Sequence, residues 1–443
     1  MNEMSEYSLE QIFPTSLPGE WGDDPEFGGN ALVLRAADFT KDCQLAQDIG
    51  APRHISAKKI SSKRLRNGDI LIEKSGGSPD QPVGRVAFFD RASDSITYLH
   101  SNFLQLLRTS EYFESKFCYY LMVQLYASGR VLRYQQQTTG IINLKLEGYL
   151  KEKVGIPSKS SQRKICCILE SIDQAIEHAS ALIGKYQQIK AGLMHDLFTR
   201  GIGADGKLRP PREQAPDLYQ QTPIGWIPKE WTYKPLKEIF GSKQITNGPF
   251  GSDLLTSELR KEGVPVLYCQ DIKPGVFARV SSSNVSPQKA AQLSFCNVRK
   301  GDILLAKVGT PPCDSCIYSE NEPAVVTQDV IRIRPSKLHA SGFFSAWFNT
   351  GIGRQAIRRI SIEGTRERVS LGEFKELLLP VPEFPEQFEM SVRLQTLLDY
   401  LSACYTEQNN LQKRKSGLMH DLLTGKVSVS PSTDAKEVAD VQN

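Results

Sequence analysis

The sequence predicts an α+β protein in which two tandem α/β-type domains are separated by an antiparallel two-helix coiled coil, the whole forming a pseudo-two-fold internal repeat. Three observations predict it. The pentapeptide Leu-Met-His-Asp-Leu occurs at 193–197 and again at 418–422, an offset of 225, and Pro157, Gln162 and Gly192 are matched at that offset by Pro382, Gln387 and Gly417. An earlier block repeats at an offset of 233: Val33, Leu34, Asp38, Arg66, Gly68, Asp69, Ile70, Leu71, Lys74 and Gly76 are matched by Val266, Leu267, Asp271, Arg299, Gly301, Asp302, Ile303, Leu304, Lys307 and Gly309. Each matched block is then followed by a long apolar stripe. Self-similarity of this kind sets the architecture before any single element is considered.

The stripes define the helices. Ile165, Leu169, Ile172, Ile176, Ala179, Ile183, Tyr186, Lys190, Leu193 and Leu197 step alternately by four and three, and Met390, Leu394, Leu397, Leu401, Cys404, Gln408, Leu411, Lys415, Leu418 and Leu422 do the same. A sustained 3.5-residue period is a coiled-coil seam. Each seam covers 33 residues, or ~50 Å at ~1.5 Å per residue. Lys190, Gln408 and Lys415 interrupt it, as polar residues do where register is fixed at a cost in stability. The alternative is an ordinary amphipathic helix packed on its own domain, but two matched stripes would then each need a separate partner. Antiparallel pairing would put the domains at opposite ends of a rod with approximate two-fold symmetry, a shape suited to duplex DNA and its ~34 Å repeat.

The remaining boundaries follow from local signals. Residues 1–157 form the first domain, with strands expected at 31–34 and 69–72 and a helix at 113–128. Residues 158–200 are the first long helix, and 201–223, rich in Gly, Pro and charge, a linker. Ile-Gly-Trp-Ile-Pro-Lys-Glu-Trp at 224–231 opens a second domain running to 382. Pro380, Pro382 and Pro385 separate it from the second long helix, 383–425. The polar tail, 426–443, is expected to be disordered.

Composition narrows the function. No run of 18 apolar residues exists, so no membrane span is expected, and the acidic N-terminus lacks an apolar signal core. Nine scattered cysteines fit a reducing cytoplasm better than a disulfide framework. A net charge of +4 says little about nucleic acid, so distribution matters more. Lys58, Lys59, Lys63, Arg64 and Arg66 cluster in the first domain, followed by Arg130, Arg133 and Gln135-Gln136-Gln137. Arg354, Arg358, Arg359, Arg366 and Arg368 cluster in the second. Arg forks suit guanine edges, Gln suits adenine, and Lys and Arg neutralise phosphates. For any single residue a solvated charged face is the better reading, whereas for the Arg354–Arg368 cluster as a whole DNA contact is.

Several patterns suggest chemistry that their context does not support. Gly201, Gly203 and Gly206 spell GxGxxG but follow a helix, where a dinucleotide fingerprint must follow a strand. Leu208 stands where a phosphate loop needs Ser or Thr. Cys313 and Cys316 make one CxxC, half a structural zinc site. His195-Asp196 and His420-Asp421 are incomplete as metal or phosphohydrolase sites and suit helix-end contacts. Asn247-Gly248-Pro249-Phe250 is similar to the loop of amino-methyltransferases, yet Gly replaces its first Pro and no cofactor-binding glycine motif precedes it. No catalytic residue, metal site or cofactor is therefore expected.

These features converge on a family. The chain resembles the specificity subunit of type I restriction–modification systems over nearly its whole length. The resemblance rests on the duplicated domain-plus-helix plan, the Gly-Trp-Ile-Pro-Lys-Glu-Trp opening, segments 263–272, 300–310 and 379–387, and above all Lys-Ser-Gly-Leu-Met-His-Asp-Leu-Leu-Thr-Gly-Lys-Val at 415–427. It implies two target-recognition domains that each read one half of a split double-stranded DNA target. It further implies paired helices that set the gap and dock methyltransferase subunits, and through them an ATP-dependent restriction subunit, in a chain with no catalytic site. The acidic opening of the first domain, 17–39, departs from the second domain's 248–272. Expected DNA-facing residues are Lys63, Arg64, Lys74, Arg130, Arg133 and Gln136 in the first domain, and Lys307, Arg354, Arg358, Arg359, Arg366 and Arg368 in the second. Two rival readings are a stand-alone DNA-modifying enzyme with unfamiliar motifs and a coiled-coil scaffold that ignores DNA.

Overall fold

The repeated Gly-Asp-Ile-Leu segments become the central strands of two matching sheets. The computed structural model describes residues 4–429, apart from 26–27, 79–80, 94, 139–140, 363 and the side chains of Thr138 and Ser252. The chain divides into two compact units, Met1–Ser180 with Glu407–Asn443, and Ala181–Thr406. In the first unit an antiparallel sheet runs in the order Thr15–Pro18, Leu104–Arg108, Asp69–Glu73, Val86–Phe89. In the second the order is Ile245–Asn247, Val330–Ile333, Ile303–Ala306, Ser315–Ile317. Both central strands are buried on both faces, which is why they are apolar without alternation. Ile70 and Ile72 join one core and Leu71 another; Ile303 and Leu305 part from Leu304 and Ala306 in the same way. That is the period-two geometry of a strand.

Other repeated residues now have physical reasons. Gly68 and Gly301 turn into the central strands at φ +94° and +91°, a conformation glycine adopts without the Cβ penalty of other residues. The aspartates that follow cap these turns: the Arg66 and Arg299 amides donate to Asp69 (2.8 Å) and Asp302 (2.9 Å). Each buried aspartate also accepts a two-pronged guanidinium, Arg108 at 2.6 and 2.7 Å and Arg334 at 2.9 and 2.7 Å. Beside each main sheet lies a small one with a parallel pair, Ala31–Leu34 with Tyr98–His100 and Val264–Leu267 with Ala324–Val326. The turns after these strands are closed by Asp38 and Asp271, which accept the Arg35 and Tyr268 amides at 2.7 and 2.8 Å.

The long helices span Lys159–Thr199 and Phe384–Leu423. All ten seam positions on each are buried or half-buried. Within the first unit Lys415 pairs with Asp173 (2.6 Å) and Gln408 donates to Ser180 (2.7 Å). Within the second, Gln187 donates to the Tyr405 hydroxyl (2.6 Å), and the Ile202 amide just past the helix donates to Glu386 (2.7 Å). In each unit partners fall along one helix as they rise along the other, so the segments pair antiparallel. Two of the three polar seam residues thus hydrogen-bond across the seam.

The start of each long helix anchors its domain through a repeated glutamine. Gln162 accepts the Glu114 amide (2.9 Å) and donates to the Pro157 carbonyl (2.9 Å). Gln387 accepts the Ala340 amide (3.1 Å) and donates to the Pro382 carbonyl (2.8 Å). The two amides lie at the mouths of the domain helices Ser115–Ala127 and Ser341–Phe348. Residues 201–223, expected as a linker, are held down. Gly201 ends the helix at φ +65°, a left-handed cap. Buried Arg209 then forks onto Glu386 (2.6 and 3.1 Å), which also accepts the Trp231 indole N–H (3.0 Å). Of the tail expected from 426, residues 430–443 lie outside the described residues.

Candidate nucleic-acid interface

In both units the central strand ends on a matched lysine whose backbone is clamped between the core sheet and a surface hairpin. The Lys74 amide donates to the Phe103 carbonyl (2.9 Å), and its own carbonyl accepts the Leu144 amide (2.8 Å). The Lys307 amide donates to the Asp329 carbonyl (2.8 Å), and its carbonyl accepts the Val369 amide (3.2 Å). Leu144 belongs to the hairpin Gln135–Thr138 with Ile141–Leu144, and Val369 to Ser361–Ile362 with Arg368–Val369. In the first unit Ser75–Gly77 adds a third strand to the hairpin, and in the second Val308 bridges to Arg368 at the same place. A short hairpin tied down in this way can carry polar side chains outward while the backbone of the lysine beside it stays fixed.

The first domain brings Lys63 and Lys74 together. Burial lowers the Lys74 pKa, and the charge of Lys63 lowers it further. Lys74 donates to Gln105 (3.1 Å), while Lys63 is held by Glu20 (3.3 Å) and the Gly19 carbonyl (3.2 Å). Beneath them His100 is fully buried, its Nε2 3.1 Å from the Leu17 carbonyl. Burial pulls its pKa from 6.5 to about 4, and both lysines push the same way. Gln136 is exposed on the hairpin, opposite Asn143. Arg133 is exposed beside it. Arg130 is turned to Glu152 and to the Lys153 carbonyl (3.0 Å), and Arg64 is exposed and donates to the Ser93 carbonyl (2.7 Å).

In the second domain Arg366 and Arg368 are exposed on the hairpin, and Arg358 and Arg359 at the end of the helix Gly351–Arg359. Among the described residues these four and half-buried Lys307 make no side-chain hydrogen bond or ion pair, so their charges can meet phosphates or base edges without first breaking a protein contact. Arg354 is placed differently. It is mostly buried and bonds Asp314 (2.5 Å), the Pro312 carbonyl (3.0 Å) and Asn349 (3.0 Å), stapling the 312–314 loop to its helix.

Two residues near the first hairpin were not singled out from sequence. Phe103 is exposed in the turn that receives the Lys74 amide, and Asn143 faces Gln136 with its carboxamide oxygen 2.5 Å from the Ser75 hydroxyl. Neither lies on a periodic stripe. Alternation within 135–144 could have flagged Asn143; nothing local flags Phe103. The tempting chemical patterns stay apart: Cys313 and Cys316 are buried free thiols pushed up to about 12 by burial. Asp196 pairs with Arg200 (3.3 Å) and Asp421 with Lys426 (3.2 Å). Among the described residues no three His, Cys, Asp or Glu side chains cluster as metal ligands, and no helix is long and apolar enough to cross a membrane.

Comparison with known proteins places this arrangement. Residues 23–184 and 228–412 match the family described as type I restriction modification DNA specificity domain, once per half. The type I restriction enzyme MjaVIII specificity subunit of Methanocaldococcus jannaschii is 24% identical over 315 residues, 70% of each chain. The EcoBI specificity subunit of Escherichia coli is 25% identical over 201 residues, 44% of this chain and 41% of that one. The crystal structure of the type I restriction–modification S subunit from M. genitalium shares the fold, with a TM-score of 0.58 at 16% identity, covering 96% of this chain and 97% of the other. With both halves matched and the same frame built twice, this chain belongs to the type I restriction–modification DNA specificity family, a recognition component rather than an enzyme.

Proposed function

We propose that each unit reads one part of a split DNA target through its hairpin and the lysine clamped beneath it, and that the paired helices fix the unread gap. The observation that carries this reading is the twice-built corner: the same lysine at the end of the same buried strand, under a hairpin whose exposed residues differ. Arg368 stands where the first copy has Asn143, and Ile362 where it has Gln136, as expected if a shared frame presents different bases with different edges. Lys74 and Lys307, common to both, suit the phosphate contacts that position a protein without reading sequence. Arg133, Arg358 and Arg359 extend the cationic surface, with Lys63 and Arg64 at the first domain's rim. Arg130 and Arg354 act through the segments they staple. In the cytoplasm the helices also dock methyltransferase subunits, and through them an ATP-dependent restriction subunit.

Salt-titrated binding of the chain with its methyltransferase partners, on target and scrambled duplexes, tests this. Replacing Arg366 or Arg368 by Ala should cost ~1–3 kcal/mol on target and relax one base position, while Lys307→Ala should weaken both duplexes alike and lower the salt slope by ~1. Equal losses on both duplexes for the hairpin variants would remove base reading from the hairpin.

A further inference from the structure

The two copies differ at one place in a way that leaves a hole. In the first unit Tyr120, on the domain helix, donates its hydroxyl to Asp173 (2.7 Å), and Asp173 pairs with Lys415 (2.6 Å). Phenol, carboxylate and ammonium close the space between the domain helix and the two long helices. The internal repeat locates the equivalent positions. Gln162 and Gln387 bond the residue before each domain helix, which aligns Glu114 with Ala340. From there the buried pairs Phe117 and Phe343, Leu121 and Trp347, and Met122 and Phe348 fall in step. Tyr120 therefore corresponds to Ala346, Asp173 to Leu398 and Lys415 to Lys190.

Lys190 is kept while the carboxylate that would pair with it, and the phenol that bonds that carboxylate, are gone. Within the second unit Ala346, Leu398 and Lys190 line a cavity of about 610 Å³ whose wall is mostly apolar, Met194, Phe198 and Leu394 among it, and also includes His195 and Gln355. The half-buried Lys190 makes no ion pair or side-chain hydrogen bond among the described residues. A cation left beside an apolar hollow lacks the counter-charge that would offset its desolvation. The volume falls in the ~300–1,000 Å³ range of small-molecule sites, which are mostly apolar with a few placed polar groups.

We propose that this cavity is a binding site for a small aromatic carboxylate, whose ring takes the space that Tyr120 fills in the other copy and whose carboxylate takes the place of Asp173 against Lys190. In the first unit the carboxylate lies off the hydroxyl end of the ring, so an acid group at one end of the ring keeps the order of ring, carboxylate and ammonium. The site is separate from the hairpin surface, and its occupancy does not depend on DNA reading.

The test is calorimetric titration and thermal shift of the full chain with 4-ethylbenzoate, and with 4-ethylbenzamide as its neutral counterpart. Saturable binding of the acid is expected, at least ~10-fold tighter than the amide, a factor that corresponds to ~1.4 kcal/mol. Lys190→Met should weaken the acid by a similar factor without affecting folding. Ala346→Tyr with Leu398→Asp should rebuild the missing partners in place, abolish binding and raise the melting temperature above that of Leu398→Asp alone. Absence of saturable binding up to ~10 mM, where a ~1 mM site would be filled, would overturn the proposal. So would equal binding of acid and amide, equal binding by Lys190→Met, or binding of an acidic aromatic peptide in place of the free acid.

Discussion

At the scale of single residues, the strongest constraints are charges removed from water. Asp302 is almost fully buried and its carboxylate is answered by Arg334. Arg334→Met should cost ~3–5 kcal/mol, because a buried charge is left unpaired, and urea denaturation of the variant would measure it. His100 makes a different prediction. Its folded pKa, about 4, lies below its ordinary 6.5, so between those values the unfolded chain takes up a proton that the folded chain refuses. Stability should fall as pH drops from about 6.5 toward about 4, by up to ~3 kcal/mol. His100→Gln, which keeps a donor for the Leu17 carbonyl, should flatten that part of the melting-temperature profile; an unchanged slope would assign it to other groups. Asp69 and Asp302 stood out in the sequence as repeated residues, but their partners did not. Arg108 and Arg334 are separated by 226 residues rather than 233, because the chain between strand and arginine differs in length in the two copies, and a fixed-offset comparison passes over them.

Among elements, the long helices were the most legible, since a seam is periodic and periodicity survives divergence. Their polar interruptions were legible as interruptions only. That Lys415 answers Asp173, itself off the seam, emerges from the register of two helices far apart in sequence. Lys415→Met should cost ~1–2 kcal/mol, the lower side of a broken pair since both side chains keep some solvent, measurable as a lowered melting temperature. The residues at 201–223 show the opposite lesson. Gly, Pro and charge marked them as connection, yet Arg209 is committed to Glu386, a partner 177 residues away. The hairpins were the least legible elements. They are short, their exposed residues differ between copies, and only Arg366, Arg368 and Gln136 were placed on the candidate surface from charge and residue type alone.

For the molecule as a whole, duplication made the architecture legible and the target illegible. Sharing is concentrated in residues that hold the frame: Gly68 and Gly301 at their turns, Gln162 and Gln387 at their helix mouths, Lys74 and Lys307 under their hairpins. Exchanging residues 224–382 for the corresponding part of another family member should change one part of the modified DNA motif and leave the other part and the gap intact, as methylation mapping in cells would show. The division of the chain has a further consequence for its synthesis. The first unit takes Met419, Leu422 and Leu423 into the same core as Leu9, Phe117 and Leu169, and the whole second unit is encoded between them. The amino-terminal portion therefore leaves the ribosome with an unsealed apolar face and waits for more than two hundred further residues. During that interval it is the segment most exposed to chaperone capture and aggregation, whereas the intervening unit holds all its own parts and can fold while translation continues.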